Sequence, residues 1–249
     1  MWWLAHGEHE VPAGAEWLSP REQAALGRIR YTKRYVEFLT RRWTAKRALA
    51  TVLERDPAPA ALAAVEIGNH PSGAPFVQVD GEQTAIEVSI SDRAGWAVCL
   101  VGSRGGALGP VGIDLEIVER RSDAFVEDFF TASERDYVRS LPAGAARDEA
   151  ANLIWSAKEA ALKVLKVGLR ADTRDVEVDI GQPRRADGWA SLTVAASNGS
   201  TFPGWWRRDG VFLLTIAATA PSAPPSLLGG GGDLATAIPV HSWLERPLI

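Results

Sequence analysis

"WSAKEAALK" (Trp155–Lys163) is the clearest helical stretch of the chain, and its two flanks carry different information. On a wheel of about 100° per residue with Trp155 at zero, Leu162 falls about 20° to one side. Ala151, Lys158 and Leu165 continue that flank to about 80°. Glu159 falls about 40° to the other side and Lys163 about 80°, so both project from the margin of the buried face. One reading is an i,i+4 pair on a solvated helix, which stabilises by only about 0.2–0.5 kcal/mol. The other is a site at the seam where this helix meets a second element.

"VGIDLEIV" (111–118) supplies a candidate for that element. In a strand, residues i and i+2 point to one face, so Asp114 and Glu116 converge on one side of an otherwise apolar run. Two carboxylates about 7 Å apart repel and are costly to desolvate unless a cation lies between them. Oxygen-only donors suit Mg²⁺, which takes one or two carboxylates, waters and a substrate phosphate. A plain surface D-x-E is the alternative. If the strand packs on the helix, the seam holds Asp114, Glu116, Glu159 and Lys163, a set fit for metal-assisted phosphoryl transfer.

Two further clusters border this picture. Between Arg28 and Arg47 stand eight basic residues against one acid, Glu37. Arg42 lies about 40° and Lys46 about 80° from the apolar stripe, one turn apart on the same flank. A bound phosphate would offset their mutual repulsion through charge-assisted hydrogen bonds; a solvated basic face is the plainer account. In "EVSISDRAGWAVCLV" (87–101), Ser89 and Ser91 alternate with apolar residues before Asp92-Arg93 begins a turn. Ser91 and Arg93 are candidate nucleotide contacts there, and a simple hairpin is the alternative.

Composition limits the remaining options. The 249 residues are 46% hydrophobic and 23% charged, as in ordinary globular proteins, and no apolar run is long enough to span a membrane. A net charge of −4 argues against bulk nucleic-acid binding. "MWWLAHGEHEVPAG" carries acids early and lacks a long apolar core, so no signal peptide is expected. Cys99 is the only cysteine; it reads as a buried strand residue, and a reducing cytoplasm is the expected compartment. His6 and His9 lack a third ligand.

Along the chain, a short strand at Trp2–Ala5 precedes a helix opened by Ser19-Pro20, running to about Leu53 with a break near Tyr31. Short strands follow to residue 102, and "SRGGALGP" (103–110) reads as a connection between lobes. The second half offers the 111–118 strand, helices at 123–141 and 147–167, and strands near 175–180, 190–195 and 211–218. Thr131 and Glu134 form a capping box, and Gly168 suits a left-handed helix end. No fixed-period repeat is evident. "PSAPPSLLGGGGD" after Ala220 reads as a flexible tail, with "VHSWLERPLI" a strap that packs back. The expected class is α+β, in two similar lobes: 1–109, 110–220 and a Pro/Gly-rich tail, 221–249.

"GIDLE" (112–116) resembles the G-[IV]-D-[ILV]-E motif of the 4′-phosphopantetheinyl transferases, and "WSAKEAALK" resembles their W-[ST]-x-K-E-[AS]-x-x-K motif, in order and at matching separation. "GLRADTRDVEV" (168–178) is similar to the segment that follows. The likeness spans about residues 20–220, to the larger two-lobed class that acts on polyketide and nonribosomal peptide synthases. It implies two pseudo-symmetric α+β lobes with the active site, and coenzyme A, in the cleft between them. It implies Asp114, Glu116 and Glu159 as Mg²⁺ ligands, Lys158 and Lys163 on the phosphates, and Arg42 with Lys46 on the nucleotide phosphates. The implied reaction moves phosphopantetheine from coenzyme A to a serine of an acidic acyl or peptidyl carrier protein, with Glu159 or a metal-bound water as base. A monomer that binds neither nucleic acid nor membrane is expected.

The chain departs from the family pattern twice. Asp92 stands where a histidine usually contacts the coenzyme phosphate, and Ala74 where Gly-Lys-Pro carries its lysine. On this reading Arg93 takes over the phosphate contact, and Asp92→His should tighten coenzyme A binding. The rival readings are a non-catalytic relative that binds coenzyme A or carrier proteins, and another Mg²⁺-dependent phosphate enzyme such as a nuclease.

Overall fold

The structure is a computed structural model describing residues 1–102, 109–166, 171–181 and 185–241. In chain order it runs β1 (Trp2–Gly7), α1 (Pro20–Leu26), α2 (Thr32–Val52), α3 (Pro59–Leu62), β2 (Val65–Asn69), β3 (Pro75–Val79), β4 (Glu82–Gln83), β5 (Val88–Arg93) and β6 (Trp96–Val101). There follow β7 (Val111–Ile117), α4 (Asp123–Phe129), α5 (Ala132–Ser140), α6 (Ala145–Val164), β8 (Val176–Ile180), β9 (Ala190–Ala196), β10 (Thr201–Asp209), β11 (Phe212–Ala218) and β12 (Ser226–Leu227). The chain is mixed α+β. The connection expected at 103–110 falls largely outside the described residues, as does the Gly168 cap.

Two antiparallel sheets carry the architecture. One has the order β12-β1-β6-β5, with β12 joining parallel to β1, and the other the order β7-β11-β10-β9-β8. A small sheet, β2-β3-β4, lies beside them. The long helix α2 packs Ala45, Ala48 and Leu49 on the first large sheet through Leu4, Cys99 and Val101. The long helix α6 packs Ala157, Ala161 and Leu162 on the second through Leu192, Val194 and Leu213. A third core is shared by both sheets. There Trp3, Ala5, Val98 and Leu100 meet Ile113, Leu115, Leu214 and Ile216, and Trp3 meets Trp189 edge-on at 6.2 Å.

Strand periodicity sorts β7 between two of these cores. Val111, Ile113 and Leu115 enter the core between the sheets. Gly112, Asp114 and Glu116 turn toward α6. A Cβ at Gly112 would lie 1.9 Å from the Ala160 carbonyl oxygen, so only glycine lets strand and helix backbones approach this closely. On its open edge β7 meets β5, where the Ser89 hydroxyl accepts from the Ile113 amide at 3.0 Å. A side chain thereby satisfies an edge amide that no strand pairs.

The same supporting frame occurs twice, at a constant spacing of 112 residues: Ser19 and Thr131, Glu22 and Glu134, Lys46 and Lys158. Each glutamate is the third residue of a capped short helix and accepts from its own cap amide, Ser19 at 2.9 Å and Thr131 at 2.8 Å. Each also accepts from a strand amide, Ile67 at 3.1 Å and Val178 at 2.8 Å. Each pairs with a fully buried lysine of a long helix, Lys46 at 2.6 Å and Lys158 at 2.8 Å. The lysines complete their donor sets on backbone carbonyls, Trp17 and Leu62 for Lys46, Thr173 and Val176 for Lys158. The sequence carries the signature faintly, "WTAKRALATV" (43–52) against "WSAKEAALKV" (155–164). Half of those positions have diverged, so the repeat was not legible as a period.

Other expectations are corrected in detail. The 123–141 helix is two helices, because Thr131 caps a new one. Strand β10 was not foreseen. Pro203 and Gly204 read as breakers, yet Gly204 sits where a Cβ would lie 2.1 Å from the Ile216 carbonyl oxygen. At the end of α6 the left-handed position is taken by Lys166, with φ 57°. The tail is not uniformly free. Leu228 and Gly232 donate to Trp3 and Ala5, Trp96 donates to the Ile238 carbonyl, and Leu234 is buried. The strap expected at 240–249 lies mostly outside the described residues.

Candidate active site

Asp114 lies at the meeting of β7, α6 and β5, and every contact it makes follows from that packing. It accepts from Ser91 at 2.8 Å, from Ser156 at 2.8 Å and from Lys163 at 2.9 Å. Lys163 also donates to the Ile113 carbonyl at 2.8 Å. Ser91 thus faces the carboxylate cluster, and its hydroxyl is engaged by Asp114.

Glu116, two residues on, accepts from the Trp155 indole at 3.0 Å and from Arg121 at 3.0 Å. The Trp155 ring is fixed by Phe125 and Phe129, with centroids at 5.0 and 5.2 Å. Arg93 lies 3.2 Å from Glu116 and 2.5 Å from Glu119. Burial, with Asp114 beside it, pushes the Glu116 carboxyl up from its ordinary range, against the pull of Arg93 and Arg121.

Glu159 completes the cluster from α6. Its Oε1 is buried without a hydrogen-bond partner among the described residues. Burial, reinforced by Asp114 and Glu116 and opposed by Lys163, lifts its carboxyl to about 7. A buried carboxylate oxygen left unpaired beside two like charges is the arrangement a cation would relieve. The donors are all oxygens, the type Mg²⁺ prefers, and Mg²⁺ commonly needs only one or two carboxylates with waters and a phosphate. Among the described residues no group of three or more His, Cys, Asp or Glu side chains is already arranged to hold a metal ion. The side chains fit such an ion in donor type but are not drawn around one point, so water and substrate would have to complete the shell.

Beside the cluster opens a cleft of about 480 Å³, lined by Arg41, Arg42, Lys163, Lys166, Ser89 and the Gly73-Ala74-Pro75 turn among others. Its apolar walls include Phe38, Ile90 and Val111. The Arg42 guanidinium is steered by Asn69 at 3.0 Å, Glu22 at 3.4 Å and the Phe38 ring at 4.9 Å. Lys166 pairs with Glu87 at 3.1 Å.

Three of the expected phosphate contacts, Lys46, Lys158 and Arg93, are not brought to this cleft. Lys46 and Lys158 are fully buried, and each amine is spent on a glutamate and two carbonyls in the repeated frame. Burial depresses the pKa of both lysines while their glutamates oppose the shift. Their proximity to the apolar stripe, visible on the helical wheel, was the signal that they point inward. Arg93 is likewise turned to Glu116 and Glu119 instead of the cleft. Sequence reasoning missed Arg41, which pairs with Asp92 at 2.7 Å, and Arg121, whose guanidinium also bonds Asn152 at 2.8 Å.

The strand–helix pair that assembles the carboxylates lies within a segment of known kind. Residues 110–194 match the 4′-phosphopantetheinyl transferase superfamily. The superfamily match opens at β7 and closes in β9, so it takes in Asp114, Glu116, Glu159 and Lys163 with the helices between them. Among curated proteins there is no match to the chain. No helix among the described residues is long and apolar enough to cross a membrane.

Proposed function

We propose that the protein transfers the 4′-phosphopantetheine arm of coenzyme A to a serine hydroxyl of an apo carrier protein, releasing adenosine 3′,5′-bisphosphate. The observation that carries this reading is the unpartnered Glu159 oxygen beside Asp114 and Glu116, inside the superfamily segment and next to a cationic cleft. The twofold recurrence of the Glu–Lys frame supports two pseudo-symmetric lobes, 1–109 and 110–220, with 221–249 as a tail. The cleft lined from both would take the coenzyme. The carrier proteins would be acidic acyl or peptidyl carriers of polyketide or nonribosomal peptide synthases, and the enzyme a cytoplasmic monomer.

Asp114, Glu116 and Glu159 would hold Mg²⁺, which when bound supplies charge neutralisation at the pyrophosphate. Lys163, held by Asp114 and the Ile113 carbonyl, presents its ammonium at the margin of the same cleft and steadies phosphate charge. Arg42, fixed by Asn69 and Glu22, offers a preorganised guanidinium to a nucleotide phosphate. The serine oxygen bonds the pantetheine-side phosphorus as the bridging P–O bond breaks. Glu159, beside the reacting phosphate, would take the serine proton directly or through a water.

A second reading, a non-catalytic relative binding coenzyme A or carriers, draws on Arg93 and Arg121 already occupying Glu116. Intact mass of apo acyl and peptidyl carriers, after incubation with the protein, coenzyme A and Mg²⁺, separates the two. Gain of one phosphopantetheine arm, lost with EDTA or in Glu159→Ala, is expected. No gain on any carrier, from folded protein that binds coenzyme A, would leave the binding reading in place.

A further inference from the structure

We infer that Asp92 is a positioning residue whose carboxylate holds the Arg41 guanidinium at the mouth of the cleft, making Arg41 the cation presented to an incoming phosphate. The inference rests on the coenzyme A reading of the cleft. Asp92 is the penultimate residue of β5 and Arg41 lies on α2, so their 2.7 Å bond ties two elements beside the cleft. Arg41 lines the main cleft and also, with Asp92, a smaller cavity of about 290 Å³ behind it. Its side chain therefore stands on the ridge between the two.

Two other cations of the cleft are engaged more fully, Arg42 by Glu22, Asn69 and Phe38 and Lys163 by Asp114 and the Ile113 carbonyl; Lys166, like Arg41, has a single carboxylate partner, Glu87, but as an ammonium lacks the planar fork of donors. Arg93, adjacent to Asp92 in sequence, points the opposite way to Glu116 and Glu119. Arg41 meets Asp92 through Nη1 alone. A guanidinium has five N–H donors in a rigid fork, so one carboxylate contact orients the group without exhausting it. Asp92 is mostly covered, at 16% side-chain exposure, while Arg41 at 36% reaches solvent. The buried partner is the anchor and the exposed one the reader of the ligand.

An unpaired aspartate facing a phosphate would repel it, and its removal would tighten binding. An aspartate that orients an arginine acts with the opposite sign, so the sign of one measurement decides. Calorimetric titration of coenzyme A into wild type, Asp92→Asn, Arg41→Ala and the double variant should show Asp92→Asn binding about 3–10-fold more weakly. Arg41→Ala should match it. The double variant should be no weaker than Arg41→Ala, because the two residues act as one unit. Asp92→Glu should restore part of the affinity, and in turnover the loss should appear in KM with kcat retained. A merely structural role would instead lower thermal stability of every variant without this non-additivity. Asp92→Asn binding coenzyme A as tightly as wild type or tighter, or losses that add, would overturn the inference. Wild type that binds no coenzyme A would overturn the coenzyme reading itself, and the role of Asp92 with it.

Discussion

Glu159→Gln should make the metal-free protein more stable at pH 8 while removing its proposed chemistry. The side chain is held in a site that disfavours its charge. Its carboxyl titrates at about 7 against an ordinary 4.5, and at about 1.36 kcal/mol per pH unit that difference corresponds to about 3 kcal/mol. An acid whose folded pKa is raised binds more protons folded than unfolded between those two values, so wild-type stability falls as pH climbs through the window. Below pH 4.5 the group costs nothing; above 7 the full penalty applies. Glutamine carries no charge but leaves a buried amide, costing about 1 kcal/mol, so a net gain of about 2 kcal/mol remains. For a chain of this size that is a rise in Tm of about 4–8 °C at pH 8. The assay is urea or thermal unfolding of both proteins at pH 4.5, 6 and 8 in EDTA, then with added Mg²⁺. The gap should be near zero or reversed at pH 4.5 and open with pH, and Mg²⁺ should stabilise only the wild type. A variant that is no more stable at pH 8, or a gap that ignores pH, would refute the account of this carboxylate.

Two further outcomes follow from the supporting structure. Lys46→Met and Lys158→Met should each cost about 3–5 kcal/mol in urea unfolding, because each strands a buried glutamate without its counter-charge. Adding Glu22→Gln or Glu134→Gln to the matching variant should recover part of that loss. Gly112→Ala should lose at least about 2 kcal/mol and disturb the carboxylate cluster, since the added methyl meets the Ala160 carbonyl and must push β7 off α6; indole fluorescence of Trp155, bonded to Glu116, should report the displacement.

The sequence made the acidic cluster legible because two different periodicities point at one seam. Alternation in "VGIDLEIV" puts Asp114 and Glu116 on a single face, and the helical wheel puts Glu159 and Lys163 at a stripe margin. Those arguments need only local geometry, and in the structure β7 packs on α6 with Asp114 bonded to Lys163. Lys46 and Lys158 were misjudged for a physical reason. Their phosphate roles came with the family resemblance, whereas each is matched by a capping-box glutamate from another helix. Pairing over that sequence distance leaves no mark in a local pattern. The pairing of Arg41 with Asp92 leaves no such mark either, since neither position signals the other. Strand β10 was hidden by its Pro-Gly pair, and the tail by a composition that normally marks disorder.

The core between the two sheets has a consequence for the order in which a ribosome delivers the chain. Trp3 and Ala5 are synthesised long before their neighbours Trp189, Leu214, Ile216 and Leu234, and β1 gains its last strand partner only at Ser226 and Leu227. The nascent amino-terminal half therefore emerges with an apolar sheet face that nothing yet made can cover. At about 5–20 residues per second, that face waits several seconds or more for its complement. Until that complement arrives, the uncovered face is the part of the nascent chain most exposed to aggregation.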